Sequence, residues 1–240
     1  MSIDKISATL SQLPPLWMSR IVAAGGNIGN STEIKKILGE PIPELANPKE
    51  IPSEVAEMFT KGGMLERIRK KLALISRKRG GKILPAKNTI AAVDEDDNVY
   101  VGVDFLAKFG NDEDLVAAIL AHEWGHMMSD LPKGVDWSHL SWERIFEMRR
   151  GEEADADGFA GRALFLMGYE PDRMMEFLKL MDEKRKKTKI PVHKYYNTAT
   201  RIEILKQSYA AEKRAMEVAK RLFFSSGKTG PKIGKVISSG

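Results

Sequence analysis

Apolar residues recur at the three- and four-residue spacing of amphipathic helices from Ser53 onward. The first such segment, residues 53–80, is interrupted by the pair Gly62-Gly63. Its second half carries one apolar stripe, which is formed by Met64, Ile68, Leu72 and Ile75. The pattern therefore predicts a helical segment that is broken or bent at the two glycines.

A different periodicity follows in two short segments, NTIAAVD and NVYVGVDF, which are rich in β-branched and aromatic residues. The acidic tripeptide EDD at residues 95–97 separates them. This arrangement predicts a β-hairpin or two adjacent strands.

The segment GNDEDLVAAILAHEWGHMMSD, residues 110–130, returns to a helical pattern. Asn111 is placed to cap the helix, and acidic residues at 112–114 suit the positive end of the helix dipole. A further helix is predicted to carry ERIFEMRRGEEADADGFAGRALFLM and to stop at Gly168. Pro171 suits the first turn of the next helix, and a last helix is expected from about 200 to 224.

These elements predict an α+β, mainly α fold with a small antiparallel sheet packed on the helix within residues 110–130. We divide the chain into an N-terminal arm at 1–52, a folded domain at 53–225 and a flexible basic tail at 226–240. The arm is rich in Gly, Pro and Asn and has a candidate short helix at 31–39. Its expected role is packing against the domain, with coverage of an active site as the alternative.

The composition disfavours two classes of function, nucleic-acid binding and membrane-spanning proteins. The 240 residues are 42% apolar and 30% charged and carry a net charge of +5, as in an ordinary globular protein. No aromatic residues interleave the basic ones at 67–77, so we do not expect nucleic-acid binding. No segment is apolar enough to span a membrane, and the first 26 residues do not resemble a signal peptide. We therefore expect a cytoplasmic protein, unless a signal has been removed.

The absence of cysteine restricts any metal site to His, Asp and Glu ligands. Two of the four histidines lie within LAHEWGHMM, as His122 and His126. Residues four apart share one face of a helix, so both imidazoles can reach one ion, a geometry that suits zinc. Glu123 projects beside that face and can act as a general base on a metal-bound water. A chain of this composition contains such a pattern by chance about 0.5% of the time.

Two histidines need a third ligand. A third histidine six residues past the second is excluded, because Pro132 occupies that place. A glutamate from a second helix is the remaining common solution. The segment RRGEEADADGFAG offers Glu152, Glu153, Asp155 and Asp157. Glu153 and Asp157 share one helix face, so Glu153 can bind the metal while Asp157 accepts the outer N–H of a ligating histidine.

The paired motifs resemble those of the gluzincin metallopeptidases of the HtpX and CAAX prenyl protease family, in its compact soluble members. The family's second motif, E-x-x-A-D-x-x-A/G, is matched by Glu153, Ala156, Asp157 and Ala160. TATRIEIL at 198–205 is similar to the family's closing R-I-x-x-L. The resemblance covers about residues 65–207. It implies a zincin-like fold, one zinc ion per chain and zinc-dependent hydrolysis of peptide bonds.

The chain departs from the family ahead of that closing motif. Where the family has His-Pro, this sequence has Tyr195 and Tyr196, with His193 two residues further back. The donor to the tetrahedral oxyanion is thus one of four candidates: His193, Tyr195, Tyr196 or Arg201. The expected partner is a polypeptide substrate, which could add as a β-strand to an exposed edge in the 88–104 region.

A different class of function remains open from the sequence. The chain could be a catalytically silent, metal-bearing module that binds a partner in the manner of a chaperone. The presence of Glu123 disfavours this interpretation, because a purely structural metal site needs no general base at that position.

Overall fold

The structure is a computed structural model that describes residues 43–128, 140–188 and 195–226. Over these ranges the chain is mainly helical, with a small mixed sheet of four strands. This confirms the expected α+β, mainly α class. None of the helices in the described ranges has the length and apolar character needed to cross a membrane.

The described residues form the following elements. The strands are β1 (Glu44–Leu45), β2 (Ile83–Lys87), β3 (Ala91–Val93) and β4 (Val99–Gly102). The helices are α1 (Ser53–Met58), α2 (Met64–Ser76), α3 (Val103–Phe109), α4 (Glu113–Met127), α5 (Trp142–Met167), α6 (Asp172–Thr188) and α7 (Thr198–Ser226). A single 3₁₀ turn, Pro48–Glu50, precedes α1.

The sheet has the strand order β1-β2-β4-β3. The predicted hairpin is confirmed, because β3 and β4 pair antiparallel with Ala92 opposite Tyr100. β2 and β4 pair parallel, however, so the expectation of a wholly antiparallel sheet is wrong. The chain passes from β2 to the edge strand β3 and returns to place β4 between them, which gives β4 the direction of β2. Residues 44–45 of the predicted arm add the strand at the opposite edge.

Helix α4 lies at the centre of the fold. It contacts α2, α5 and α6 and the strands β3 and β4. Its buried side chains extend round most of its circumference, which explains why its sequence is a nearly continuous apolar run rather than a stripe. The N-cap is Asp112, whose side chain accepts a hydrogen bond from Leu115 N at 3.1 Å, and not Asn111 as the sequence suggested.

Helices α5 and α7 pack closely against each other. Gly168, with φ of 82°, ends α5 in the left-handed conformation expected of a glycine at this place. A Cβ atom at Gly161 would lie 2.3 Å from the carbonyl oxygen of Leu205, so the two backbones approach closely there. This contact sets the alignment of the two helices, so that the turn of α7 before Leu205 faces the turn of α5 before Gly161.

Several expectations fall outside the described residues: the candidate helix at 31–39, the tail after Ser226, and His193. The domain boundaries at 52 and 225 remain predictions.

Candidate metal centre

Helix α4 presents His122 and His126 toward α5. The two imidazole centroids are 4.9 Å apart and the ring planes are nearly perpendicular, at 88°. The side chains of His122 and His126 are only 9% and 11% exposed. The helical spacing therefore brings two potential nitrogen ligands together, as the sequence predicted, and the structure shows that both side chains are largely buried.

Helix α5 brings the carboxylate of Glu153 to both rings. Its Oε2 atom lies 3.3 Å from Nε2 of His122 and 3.7 Å from Nε2 of His126. One ligand atom from each of the three residues lies within 4.8 Å of the others. Ligands at about 2.05 Å from a tetrahedral ion stand about 3.3 Å apart, so the three residues can hold a metal ion.

The close approach of α4 and α5 depends on small residues at their crossing. A Cβ atom at Gly125 would lie 2.6 Å from the Cα of Ala156. Gly125 lies between the two histidines in sequence, and Ala156 lies between Glu153 and Asp157. Gly125 therefore makes room for the backbone of α5. The same contact sets the distance between the imidazoles and the carboxylate.

Replacing Gly125 by alanine should push the two helices apart and lower the free energy of unfolding by about 1–3 kcal/mol. The intrinsic helix propensity of alanine, worth up to about 1 kcal/mol, offsets part of this loss. Gly151→Ala is the matched control, because a Cβ at Gly151 in α5 meets nothing within 4 Å. Urea unfolding should show Gly151→Ala equal to or more stable than wild type. Equal stability of the two variants would contradict the proposed close packing.

The outer nitrogen of His122 faces Asp157, as the sequence predicted. Nδ1 of His122 lies 2.9 Å from Oδ1 of Asp157. Arg201 on α7 in turn donates from Nε and Nη2 to the two oxygens of Asp157, at 2.7 and 2.8 Å. Burial disfavours the charged carboxylate, yet Arg201 and His122 hold the pKa of Asp157 below its ordinary value. Asp157 is therefore an anchored anion beside the ring of His122.

The outer nitrogen of His126 faces a residue whose role the sequence did not reveal. Nδ1 of His126 lies 3.3 Å from Oε1 of Glu152, and the buried Arg149 donates to Oε2 of Glu152. Burial favours the neutral carboxyl, yet His126 and Arg149 hold the pKa of Glu152 below its ordinary value. The sequence contains one sign of a buried polar cluster on this helix, which includes the arginine that binds Glu152. Arg149, Glu153 and Asp157 occupy positions at which the helical pattern predicts apolar side chains.

The electrostatics of the site favour a cation. Burial by itself disfavours a charged imidazole, but the Asp157 and Glu153 carboxylates raise the pKa of His122 to about 10. Glu152 is a third carboxylate in the cluster, against two arginines. The three carboxylates outnumber the two guanidinium groups, so the cluster carries excess negative charge when both imidazoles are neutral.

The structure describes Glu123 and three of the four candidate oxyanion donors: Tyr195, Tyr196 and Arg201. Glu123, on α4 directly after His122, is half-buried. Arg201 uses two of its donors on Asp157, and the ring of Tyr195 lies over its guanidinium at 4.5 Å. Tyr196 is exposed. The structure thus shows Arg201 holding Asp157, and contact between any of the candidates and an oxyanion remains a prediction.

Trp124 is a packing residue of α4. Its side chain is buried, and Nε1 donates a hydrogen bond to Ser76 Oγ at 2.9 Å. A Cβ at Gly80 would lie 2.4 Å from the indole ring. Lys78 Nζ donates to the carbonyl of Met127 at 2.6 Å. These contacts fix the C-terminal turn of α4, and with it the orientation of the helix that carries the histidines.

Comparison with known proteins adds no assignment. No family model matches the sequence, and a search of curated proteins finds no match either.

Proposed function

We propose that this protein is a zinc-dependent metalloendopeptidase, a member of the gluzincin group that its motifs resemble. The observation that carries the proposal is the convergence of His122, His126 and Glu153 on one point, beside a glutamate that directly follows the first histidine. Two histidines and one glutamate are a common protein ligand set of catalytic zinc, with a fourth position left for water or substrate.

A metal ion explains the burial of these charges better than a network of ion pairs alone. Removing carboxylates from water costs several kcal/mol each unless they are well compensated. Arg201 faces Asp157, Arg149 donates to Glu152, and Oε2 of Glu153 faces the Nε2 atoms of both imidazoles. A divalent cation at that point would bind this carboxylate together with the inner nitrogens of both rings.

Zinc suits this ligand set better than magnesium or calcium does. The imidazole ligands favour a borderline-soft ion over magnesium or calcium, which prefer oxygen ligands alone. A bound zinc ion lowers the pKa of a coordinated water toward about 7 and polarises the scissile carbonyl.

The residues of the chain supply the remaining chemistry. The carboxylate of Glu123 accepts a proton from the attacking water and delivers it to the leaving nitrogen of the peptide. Asp157 and Arg201 hold the ring of His122 with Nε2 toward Oε2 of Glu153, the side on which a metal ion would bind. Donation to the developing oxyanion is assigned to the group formed by His193, Tyr195, Tyr196 and Arg201.

The sheet supports a polypeptide as the substrate. β3 is an edge strand of the described sheet, with β4 on one side, and it packs against α4. An extended peptide can pair with such an edge through main-chain hydrogen bonds, which require no particular side chains. The peptide would then run alongside the helix that carries His122 and His126.

Removal and return of the metal test the proposal. Treatment with a strong chelator should abolish cleavage of casein, and stoichiometric zinc should restore it, because the proposed reaction needs the ion. Dialysis against buffer without chelator is the control. Retention of full activity after complete removal of zinc would reject a zinc-dependent mechanism. Stable zinc binding without cleavage of any polypeptide would favour the metal-bearing interaction module instead.

A further inference from the structure

We propose that Glu152, held in place by Arg149, is a positioning residue that fixes the ring of His126 toward the metal. This inference rests on the metal centre of the proposed function and assigns a role to two residues outside the motif resemblance. Asp157 and Arg201 orient one histidine, and Glu152 with Arg149 form a separate device for the other.

The contacts place Glu152 at the outer nitrogen of His126. Oε1 of Glu152 lies 3.3 Å from Nδ1 of His126, while Nε2 of the same ring faces Oε2 of Glu153 at 3.7 Å. Neighbouring residues of α5 thus face the two nitrogens of one ring. A carboxylate at Nδ1 favours the tautomer with the proton on that nitrogen, which leaves the lone pair of Nε2 available to a metal.

Arg149 determines where the carboxylate of Glu152 can lie. It precedes Glu152 by three residues on α5, and the side chains of Arg149 and Glu152 are 5% and 12% exposed. Nη2 of Arg149 also lies 4.0 Å from Oε1 of Glu153, so this guanidinium is close to both carboxylates. Burial of charged side chains to this extent costs free energy. We therefore infer that this ion pair has a role beyond stabilising the helix.

The same helix contains an internal comparison. Arg144 and Glu147 have the same three-residue spacing and form an ion pair at 2.6 Å, with both side chains about 60% exposed. An exposed pair of this kind contributes little to helix stability. The Arg149–Glu152 pair has the same chemistry but lies against a histidine of the metal centre. Its location, and not its chemistry, distinguishes it from the exposed pair.

Zinc affinity tests the proposal. Loss of a carboxylate that orients a ligating histidine costs about 10- to 100-fold in metal affinity. We therefore expect Glu152→Ala to raise the dissociation constant for zinc by that factor, measured by competition with a chromophoric chelator. Glu152→Gln should lose less affinity, because its amide oxygen can still accept the Nδ1 proton. Glu147→Ala is the matched control and should bind zinc as wild type does.

A spectroscopic measurement separates positioning from mere support of the fold. Imidazole nitrogen shifts of zinc-loaded, ¹⁵N-labelled protein should show His126 protonated at Nδ1 in wild type and altered in Glu152→Ala, with His122 unchanged. A variant that is less stable but binds zinc with wild-type affinity and an unchanged His126 signal would overturn the proposal.

The outcomes distinguish this inference from the proposed function. Wild-type zinc affinity in Glu152→Ala, together with normal peptide cleavage, would reject the positioning role and leave the peptidase proposal standing. If zinc binding is weakened in Glu152→Ala and the zinc-loaded wild type cleaves no peptide, the positioning role is supported and the peptidase proposal is rejected.

Discussion

Replacing Glu123 by glutamine should lower the rate of peptide hydrolysis by about 10²- to 10⁴-fold while leaving the zinc content unchanged. Glutamine has nearly the same size and shape, but its amide cannot accept a proton from the attacking water. Glu123 is a neighbour of the ligand His122 and is not one of the three grouped ligands, so the metal should remain bound. Steady-state cleavage of a fluorogenic peptide and metal analysis of the same preparation check both parts.

The control for this variant is Glu143→Gln, an equal change of charge at an exposed position in the first turn of α5. It should cleave peptide at the wild-type rate. If Glu123→Gln also cleaves at that rate, Glu123 is not the general base and the proposed mechanism is wrong.

The helices that carry the site could be predicted from the sequence because their signals are local. The apolar run of α4 and the stop at Gly168 depend only on residues close in the chain. The spacing of His122 and His126, and of Glu153 and Asp157, then follows from the helical repeat. The structure confirms that these four residues come together.

The sheet shows the limit of local signals. The hairpin of β3 and β4 was predictable because its strands are adjacent in sequence. The parallel pairing of Ile83 with Val99 joins residues separated by an entire strand and two turns, and no periodicity within either segment specifies it. The predicted N-cap of α4 is wrong by one residue. Asn111 and Asp112 are both good N-cap residues, and the local sequence does not distinguish between them.

The contacts that surround the ligands depend on packing between distant helices. Helices α5 and α7 approach each other closely where Gly161 meets Leu205. Asp157 lies four residues before Gly161 and Arg201 lies four residues before Leu205. The preceding turns of the two helices therefore bring the guanidinium group to the carboxylate. The motif pattern singled out Arg201 but suggested contact with an oxyanion. The sequence offers Glu152 as one of four acidic residues near the metal site, and only the position of α4 shows that it faces His126.

Replacing Glu153 by alanine should weaken zinc binding by more than about 100-fold and remove peptidase activity with it. Loss of a residue that only orients a ligand already costs about 10- to 100-fold, and Glu153 supplies the oxygen that faces both imidazoles. Asp155→Ala is the matched control: Asp155 is a carboxylate two residues further along α5 that is exposed to solvent. It should bind zinc and cleave peptide as wild type does.

Calorimetric titration of zinc into the metal-free protein tests the central claim most directly, with Glu153→Ala and Asp155→Ala measured alongside. We predict one tight zinc ion per chain for wild type and Asp155→Ala, and no comparable binding for Glu153→Ala. Tight stoichiometric binding that survives in Glu153→Ala would contradict the assignment of His122, His126 and Glu153 as the metal ligands, as would the absence of zinc binding in wild type.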